Sequence, residues 1–448
     1  MIDILNLASI FFFTILVLHL LLSLYYKHPV SVIIGSPFLF FSLLFSFVFL
    51  LRPYVIIFID DSMVGEYSLT IDNLSIVLSI ALTSYFIIFC IYWLFQKSVK
   101  KEYFISVELL CKNKFIIWLI FIQIVTLVIV CIDILIYGAN ILHAGSGGMS
   151  FIFIIFKQLL FAIITIQSFI LLFYNVKPVY KYSLIMLLLL SIFVSLLAGG
   201  RGSLMYAILS ISILYLYKKR AIFGFKQMVI TLSISILSII FLNILGSYRH
   251  IQLTMMKDQT LNFFDFMITF ISDMNFSAMI AGFSWGFSMF DVFPKILDYY
   301  NGATYYGYTI ISALIGFVPR IIWNDKPVET GTMIITTTDL YPGLYESQNT
   351  GLIGTYLGEA YSNFGFIGIL IYSIIIGYLF SYYHKRALIS FNIFFLPFYA
   401  IAFPYIFSIV RGGFDWVWMF VIFKLIPLTL IVYYLKKNTL FVKNICAR

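Results

Sequence analysis

The chain has 448 residues, of which 62% are hydrophobic and only 10% are charged. Soluble globular domains carry about 25% charged residues, so so apolar a chain reads as an integral membrane protein. The net charge of +9 does not point to nucleic acid, because Lys and Arg are spread through short turns between apolar runs, a pattern that records membrane topology.

A helix needs about 20 apolar residues to cross the hydrocarbon. Runs of that order fall at 5–25, 30–51, 73–95, 115–137, 151–174, 182–198, 203–217, 228–245, 366–384, 391–410 and 415–435. They predict an all-α integral membrane protein of about 11 transmembrane helices, with a range of about 10–13 because 262–292 and 306–323 are apolar enough to be re-entrant or to add a pair. No charged segment and small-residue cleavage site flank the first run, so 5–25 reads as a retained span and not a signal peptide. Cys90, Cys111, Cys131 and Cys446 show no CxxC or Cys/His spacing for a metal, and they read as structural. The whole of 1–448 reads as a single polytopic membrane domain without internal repeats.

Basic residues orient the spans. The turns 96–114 (Lys97, Lys100, Lys101, Lys112, Lys114) and 218–227 (Lys218, Lys219, Arg220, Lys226) belong on the cytoplasmic side. Alternation adds Lys27, Lys177, Lys181, Lys385, Arg386 and the tail residues Lys436, Lys437, Lys443 and Arg448 to that side. Arg52, Arg201, Arg249, Lys257, Lys295, Arg320, Lys326 and Arg411 are left on the other. Topology does not account for these, so they are the informative cations. They place the long segment 246–365, the Gly-Gly-Arg-Gly turn at 199–202 and the Arg-Gly-Gly turn at 411–413 together on the outer face.

Arg201 stands between glycines that let a bulky ligand approach the backbone, and a helix starting at Ser203 aims its free N–H groups at the same spot. An anion site is one reading, and an interfacial Arg reaching lipid phosphates is the other. Arg411 repeats the arrangement. It either clamps Asp415 or joins Arg201 around a ligand. Arg249 and His250 leave the eighth span at this level, and Arg320 and Lys326 lie between Pro319 and Pro327, which fix that loop's direction. Arg is suited to phosphate because its planar fork forms paired, charge-assisted hydrogen bonds. No acidic pair in this outer region is spaced to chelate a metal, and the adjacent Asp60 and Asp61 point apart, so no metal and no cofactor are expected.

Glu359 is a carboxylate in a Gly- and aromatic-rich stretch. It is a candidate general base toward a hydroxyl or a partner neutralising an arginine. His250 is a second candidate base and Asp415 a third. Tyr299, Tyr300, Tyr305, Tyr306, Tyr308, Tyr341, Tyr345, Tyr356 and Tyr361 crowd the long segment, either to stack on sugars or as an interfacial belt. Asp133 and Lys157 fall near the outer ends of consecutive spans and are expected to pair. No polar chain crosses the membrane, which disfavours a proton-coupled pump, while His19 and Lys424 have no assigned role.

Four islands carry a resemblance. Leu-Leu-Ala-Gly-Gly-Arg-Gly-Ser-Leu at 196–204, Phe-Val-Pro-Arg-Ile-Ile-Trp-Asn-Asp-Lys-Pro at 317–327, Gly-Glu-Ala-Tyr-Ser-Asn-Phe-Gly-Phe-Ile-Gly at 358–368 and Val-Arg-Gly-Gly-Phe-Asp at 410–415 resemble, in order, the islands of the Wzy polysaccharide polymerases. The likeness spans about 190–420, and the first 190 residues match in hydropathy only. It implies a GT-C-like, metal-independent glycosyltransferase of the bacterial inner membrane with its active face periplasmic. The enzyme would transfer a growing glycan from undecaprenyl pyrophosphate to a sugar hydroxyl of another lipid-linked repeat unit. Its partners would be the two lipid-linked oligosaccharides, membrane lipids and a chain-length regulator, with no nucleic acid. Arg201, Arg249, Arg320, Lys326 and Arg411 would bind the pyrophosphates. Glu359 or His250 would serve as base, and Arg411 would stabilise the leaving group. An O-antigen ligase and a lipid-linked oligosaccharide flippase are the rival readings.

Overall fold

The computed structural model describes residues 2–58, 71–96, 108–137, 148–199, 201–218, 289–300, 302–315, 318, 323, 334–340, 354–389, 393–412, 421–437 and 439–442. Among them, seven helices are long and apolar enough to cross a membrane: Ile2–Tyr25, Pro37–Phe58, Asn73–Leu94, Asn113–Ile136, Ile155–Phe173, Pro178–Ser195 and Tyr356–Ala387. Met205–Lys218 and Leu396–Gly412 are shorter apolar helices. The run at 228–245 lies outside the described residues, as do Asp60, Asp61, Arg249, His250, Arg320, Lys326 and Asp415.

In chain order the elements are α1 (Ile2–Tyr25), α2 (Val30–Ile34), α3 (Pro37–Ser46), α4 (Arg52–Phe58), α5 (Ile71–Leu94), β1 (Glu108–Cys111), α6 (Asn113–Tyr137), α7 (Gly148–Phe173), β2 (Tyr174–Asn175), α8 (Pro178–Gly199) and α9 (Arg201–Lys218). There follow α10 (Met289–Tyr299), α11 (Tyr308–Ile315), α12 (Tyr356–His384), α13 (Leu396–Ala402), α14 (Tyr405–Gly412), α15 (Ile426–Lys437) and β3 (Thr439–Val442). The outward faces of the long helices are as apolar as the inward ones: Leu7 and Ile10 on α1, Phe121 and Leu135 on α6, and Met186 and Phe193 on α8 are exposed. In water such continuous surfaces would drive aggregation. In lipid they are the solvated face, and helices close their own backbone hydrogen bonds there.

The second span begins seven residues later than the hydropathy predicts. Pro37 at the first helical position needs no N–H partner, and the Ser36 side chain accepts from the Leu39 amide, so α3 starts afresh after Gly35. The span also runs beyond Leu51, because a π turn over Phe47–Leu51 leads into α4, where Arg52 is buried and paired. A charge that hydropathy reads as the membrane boundary is here enclosed by protein.

Between helices, polar groups pair inside the bundle. The Gln123 Nε2 of α6 donates to Gln167 Oε1 of α7 at 2.7 Å and to Ser191 Oγ of α8 at 2.8 Å. Ser84 of α5 meets the Tyr356 hydroxyl at 2.9 Å and Ser373 Oγ at 2.6 Å, both on α12. Small hydroxyls let helix backbones approach closely, as lipid-embedded packing requires. Asp133 and Lys157 form the expected ion pair between α6 and α7.

α12 is two helices joined at a sharp bend. Phe364 (φ −138°, ψ 15°) and Gly365 (φ 62°, ψ −148°) are non-helical, so Tyr356–Asn363 forms a separate short arm before the long apolar stretch. Glycine fits this left-handed conformation, which a Cβ disfavours. The bend brings Gly368 against the arm: a Cβ there would stand 2.1 Å from the Ala360 carbonyl oxygen. Gly368→Ala is therefore expected to destabilise the folded protein by about 1–3 kcal/mol, read as a lower thermal midpoint in size-exclusion assays, and an unchanged midpoint would contradict this packing.

A small sheet ties three connections together. β1 pairs in parallel with β2 and antiparallel with β3, in the order β2-β1-β3. The segment before α6, the end of α7 and the chain's C-terminal strand thus lie on one side of the bundle. These are three of the connections that alternation assigns to a common side.

Candidate functional site

Two glycine-flanked arginines lie at the ends of neighbouring helices. Arg201 opens α9, and Arg411 sits in the last turn of α14 with an exposed side chain. Tyr206 of α9 and Ser408 of α14 join these helices through a hydroxyl–hydroxyl hydrogen bond, and the Tyr206 and Tyr405 rings stack at 5.3 Å with a 16° interplanar angle. At about 1.5 Å per residue, Arg201 starts about 7 Å along the axis from Tyr206, and Arg411 about 4.5 Å from Ser408. Beside them a π turn over Val421–Leu425 carries Lys424, buried at 2% exposure, with Nζ 4.6 Å from the Phe161 ring centroid, 5.1 Å from Tyr206 and 4.5 Å from Tyr405.

A second polar cluster occupies the short arm of α12. Thr355 caps it by accepting from the Gly358 amide at 3.2 Å. Glu359 is wholly buried and accepts from the Thr309 hydroxyl at 3.2 Å. Thr309 in turn accepts from Asn363 Nδ2 at 2.6 Å, and Asn363 Oδ1 accepts from the Gly307 amide at 3.0 Å. The Ser362 carbonyl accepts from the amides of Thr304 and Tyr305 at 2.9 and 3.0 Å. These bonds hold the 304–309 turn in place, with Tyr306 in a left-handed conformation (φ 46°) and its ring exposed, a strained arrangement for a bulky residue.

Next to that turn, Asp339 accepts hydrogen bonds from Tyr300 and, at 2.6 Å, from Tyr305. Partial burial, reinforced by this carboxylate, pushes both phenols well above their ordinary range, so they stay protonated. α10 below is anchored by Asp291, which takes three bonds from the Arg52 guanidinium: Nη2–Oδ2 at 2.6 Å, and Nε to both oxygens at 3.2 Å. Among the described residues, no three His, Cys, Asp or Glu side chains converge as metal ligands.

Of the residues singled out from sequence, Arg201 opens α9 and Arg411 lies in the last turn of α14, two helices in contact through Tyr206, while Glu359 belongs to the separate arm of α12. Arg249, His250, Arg320 and Lys326 lie outside the described residues. Sequence reasoning missed Tyr206, Ser408, Thr309, Asn363, Asp339 and the Arg52–Asp291 pair. Lys424 carried a signal, being a lone ammonium in an apolar run, but nothing in the sequence told which helices would face it. His19, the other unassigned residue, is enclosed by Trp93, whose indole donates to its Nδ1 at 3.2 Å, and by Phe38.

The helices and the buried polar pairs define a multi-pass, all-α membrane protein. The chain belongs to the O-antigen polysaccharide polymerase Wzy family, whose model matches residues 1–443, so the family extends over the first half, where the sequence islands are silent. It is thus a glycosyltransferase-like polymerase of lipid-linked oligosaccharide repeat units. Comparison with curated proteins gave no match, and comparison with solved structures gave none.

Proposed function

We propose that this protein polymerises undecaprenyl-pyrophosphate-linked repeat units at the periplasmic face of the bacterial inner membrane. The chain 1–448 is one GT-C-like membrane domain of about 11 spans, with 246–365 as its large periplasmic segment. The positive-inside bias supports this orientation, together with the sheet that gathers β1, β2 and β3 on one side.

The reaction breaks the bond between the anomeric carbon of the growing glycan and its pyrophosphate, and joins that carbon to a sugar hydroxyl of the acceptor unit. The acceptor's proton passes to Glu359 or His250, and the electron pair leaves with undecaprenyl pyrophosphate. Arg201, Arg249 and Arg411 stabilise the charge developing on that leaving group, while Arg320 and Lys326 orient donor or acceptor. Neither a metal nor a cofactor is needed in this scheme, since the arginine forks supply the electrostatic stabilisation. The observation that carries the reading is the coupling of α9 to α14 through Tyr206 and Ser408, since these two helices bear, at their ends, two arginines that topology leaves unexplained.

Purified protein given a lipid-linked repeat unit is expected to produce a ladder of longer chains without a second protein, although a chain-length regulator is expected to narrow the distribution. Glycosylation of added lipid A core in place of a ladder would indicate a ligase, and movement of the unit across a vesicle without lengthening would indicate a flippase. Glu359→Gln keeps an acceptor for Thr309. It is expected to slow chain growth by about 10²-fold or more per folded molecule, and an unaffected rate would pass the base role to His250.

A further inference from the structure

The α9–α14 neighbourhood holds a cation to which neither the sequence nor the family assigns a role. Lys424 is 2% exposed, and its Nζ faces Phe161, Tyr206 and Tyr405 at 4.5 to 5.1 Å from their centroids. Ring faces attract a cation, but they offer no lone-pair oxygen to the three ammonium donors. Among the described residues, no carboxylate pairs with Lys424, and no oxygen accepts a hydrogen bond from it. Ionisable groups within membrane helices are retained mainly for function.

Two further observations give this group a direction. Lys424 lies on a π turn, a rare feature that tends to occur at functional sites. Arg411 shares Tyr206 with it: the hydroxyl bonds Ser408, one turn before Arg411, and the ring lies beneath the ammonium. Tyr206 thus links the helix that ends on Arg411 to the turn that carries Lys424.

We propose that Lys424 is a substrate-binding residue that donates to a phosphoryl oxygen of the lipid-linked diphosphate, from the membrane side of Arg411. The inference rests on the reading that Arg411 faces a diphosphate. The aromatic cage keeps the ammonium in place while the site is empty, and the diphosphate adds the acceptor that the rings lack. A polyprenyl diphosphate enters from the lipid, so a cation below the outer arginines meets it where head and tail join.

The test is titration of the full-length protein, in phosphatidylcholine nanodiscs, with farnesyl diphosphate as probe. Lys424→Met is expected to weaken binding about tenfold or more, as loss of one charge-assisted hydrogen bond implies. Lys424→Arg should retain most of the affinity. Lys424→Gln, which keeps polarity but drops the charge, should behave like Lys424→Met and replaces it if that variant does not assemble. Arg411→Ala is measured alongside. If Arg411→Ala weakens binding and neither neutral Lys424 variant does, the role of Lys424 is overturned and the diphosphate reading stands. If none of the variants weakens binding, the diphosphate reading itself falls. A parallel measurement of phosphatidylglycerol retention distinguishes the other source of phosphate: variants that lose that lipid but keep farnesyl diphosphate would make the occupant a phospholipid headgroup, which overturns the assignment to substrate.

Discussion

Arg201→Ala and Arg411→Ala are each expected to reduce the initial rate of chain lengthening by about 10²–10³-fold, the scale of removing one preorganised donor to a developing anion. Arg411 is exposed at the end of α14, so its truncation opens no cavity in the core and the fold should survive. That separates a chemical defect from a structural one, and melting points should stay close to wild type. Arg411→Lys is the sharper variant. It keeps the charge but not the fork that grips two oxygens at once, so an intermediate loss is expected. The double variant Arg201→Ala/Arg411→Ala should lose less than the product of the single losses, because groups holding one ligand act as a unit. Full ladders from both single variants, with soundly folded protein, would remove the diphosphate site from this end of the bundle.

Much of this architecture is legible in the sequence because the bilayer imposes a simple rule: long apolar runs become helices. The runs at 5–25, 73–95 and 115–137 correspond to α1, α5 and α6. The rule fails where protein replaces lipid as the surroundings of a residue. Arg52 looks like a boundary, yet it is enclosed by a partner 239 residues away, and the helix continues past it. The run at 366–384 does start where the bend at Gly365 ends, but hydropathy did not show that the stretch before it is a helical arm, on which Glu359 packs against the 304–309 turn. That α9 and α14 touch was not legible at all: it rests on Tyr206 and Ser408, a hydroxyl contact between residues 202 apart that no local pattern encodes.

Breaking the Arg52–Asp291 pair on one side is expected to be strongly destabilising. Both side chains are enclosed, at 0% and 2% exposure, and the guanidinium reaches both carboxylate oxygens. Removing one partner strands a buried charge, so Arg52→Met and Asp291→Leu should each destabilise the protein by about 3–5 kcal/mol, whereas the double variant should recover part of that loss because the two apolar side chains strand neither member of the pair. The pair joins the end of the second span to α10, and α10 packs on α12 through Ile296, which lies against Gly354 and Gly358. A clamp at this point holds the arm carrying Glu359 against the bundle. Purified yield and thermal midpoint should therefore fall in each single variant and return in part in the double, while the lengthening rate per folded molecule of the double stays near wild type. If the double variant folds but cannot lengthen chains, Arg52 belongs to the chemistry and not to the clamp. If the single variants melt like wild type, the pair does not hold α10 in place at all.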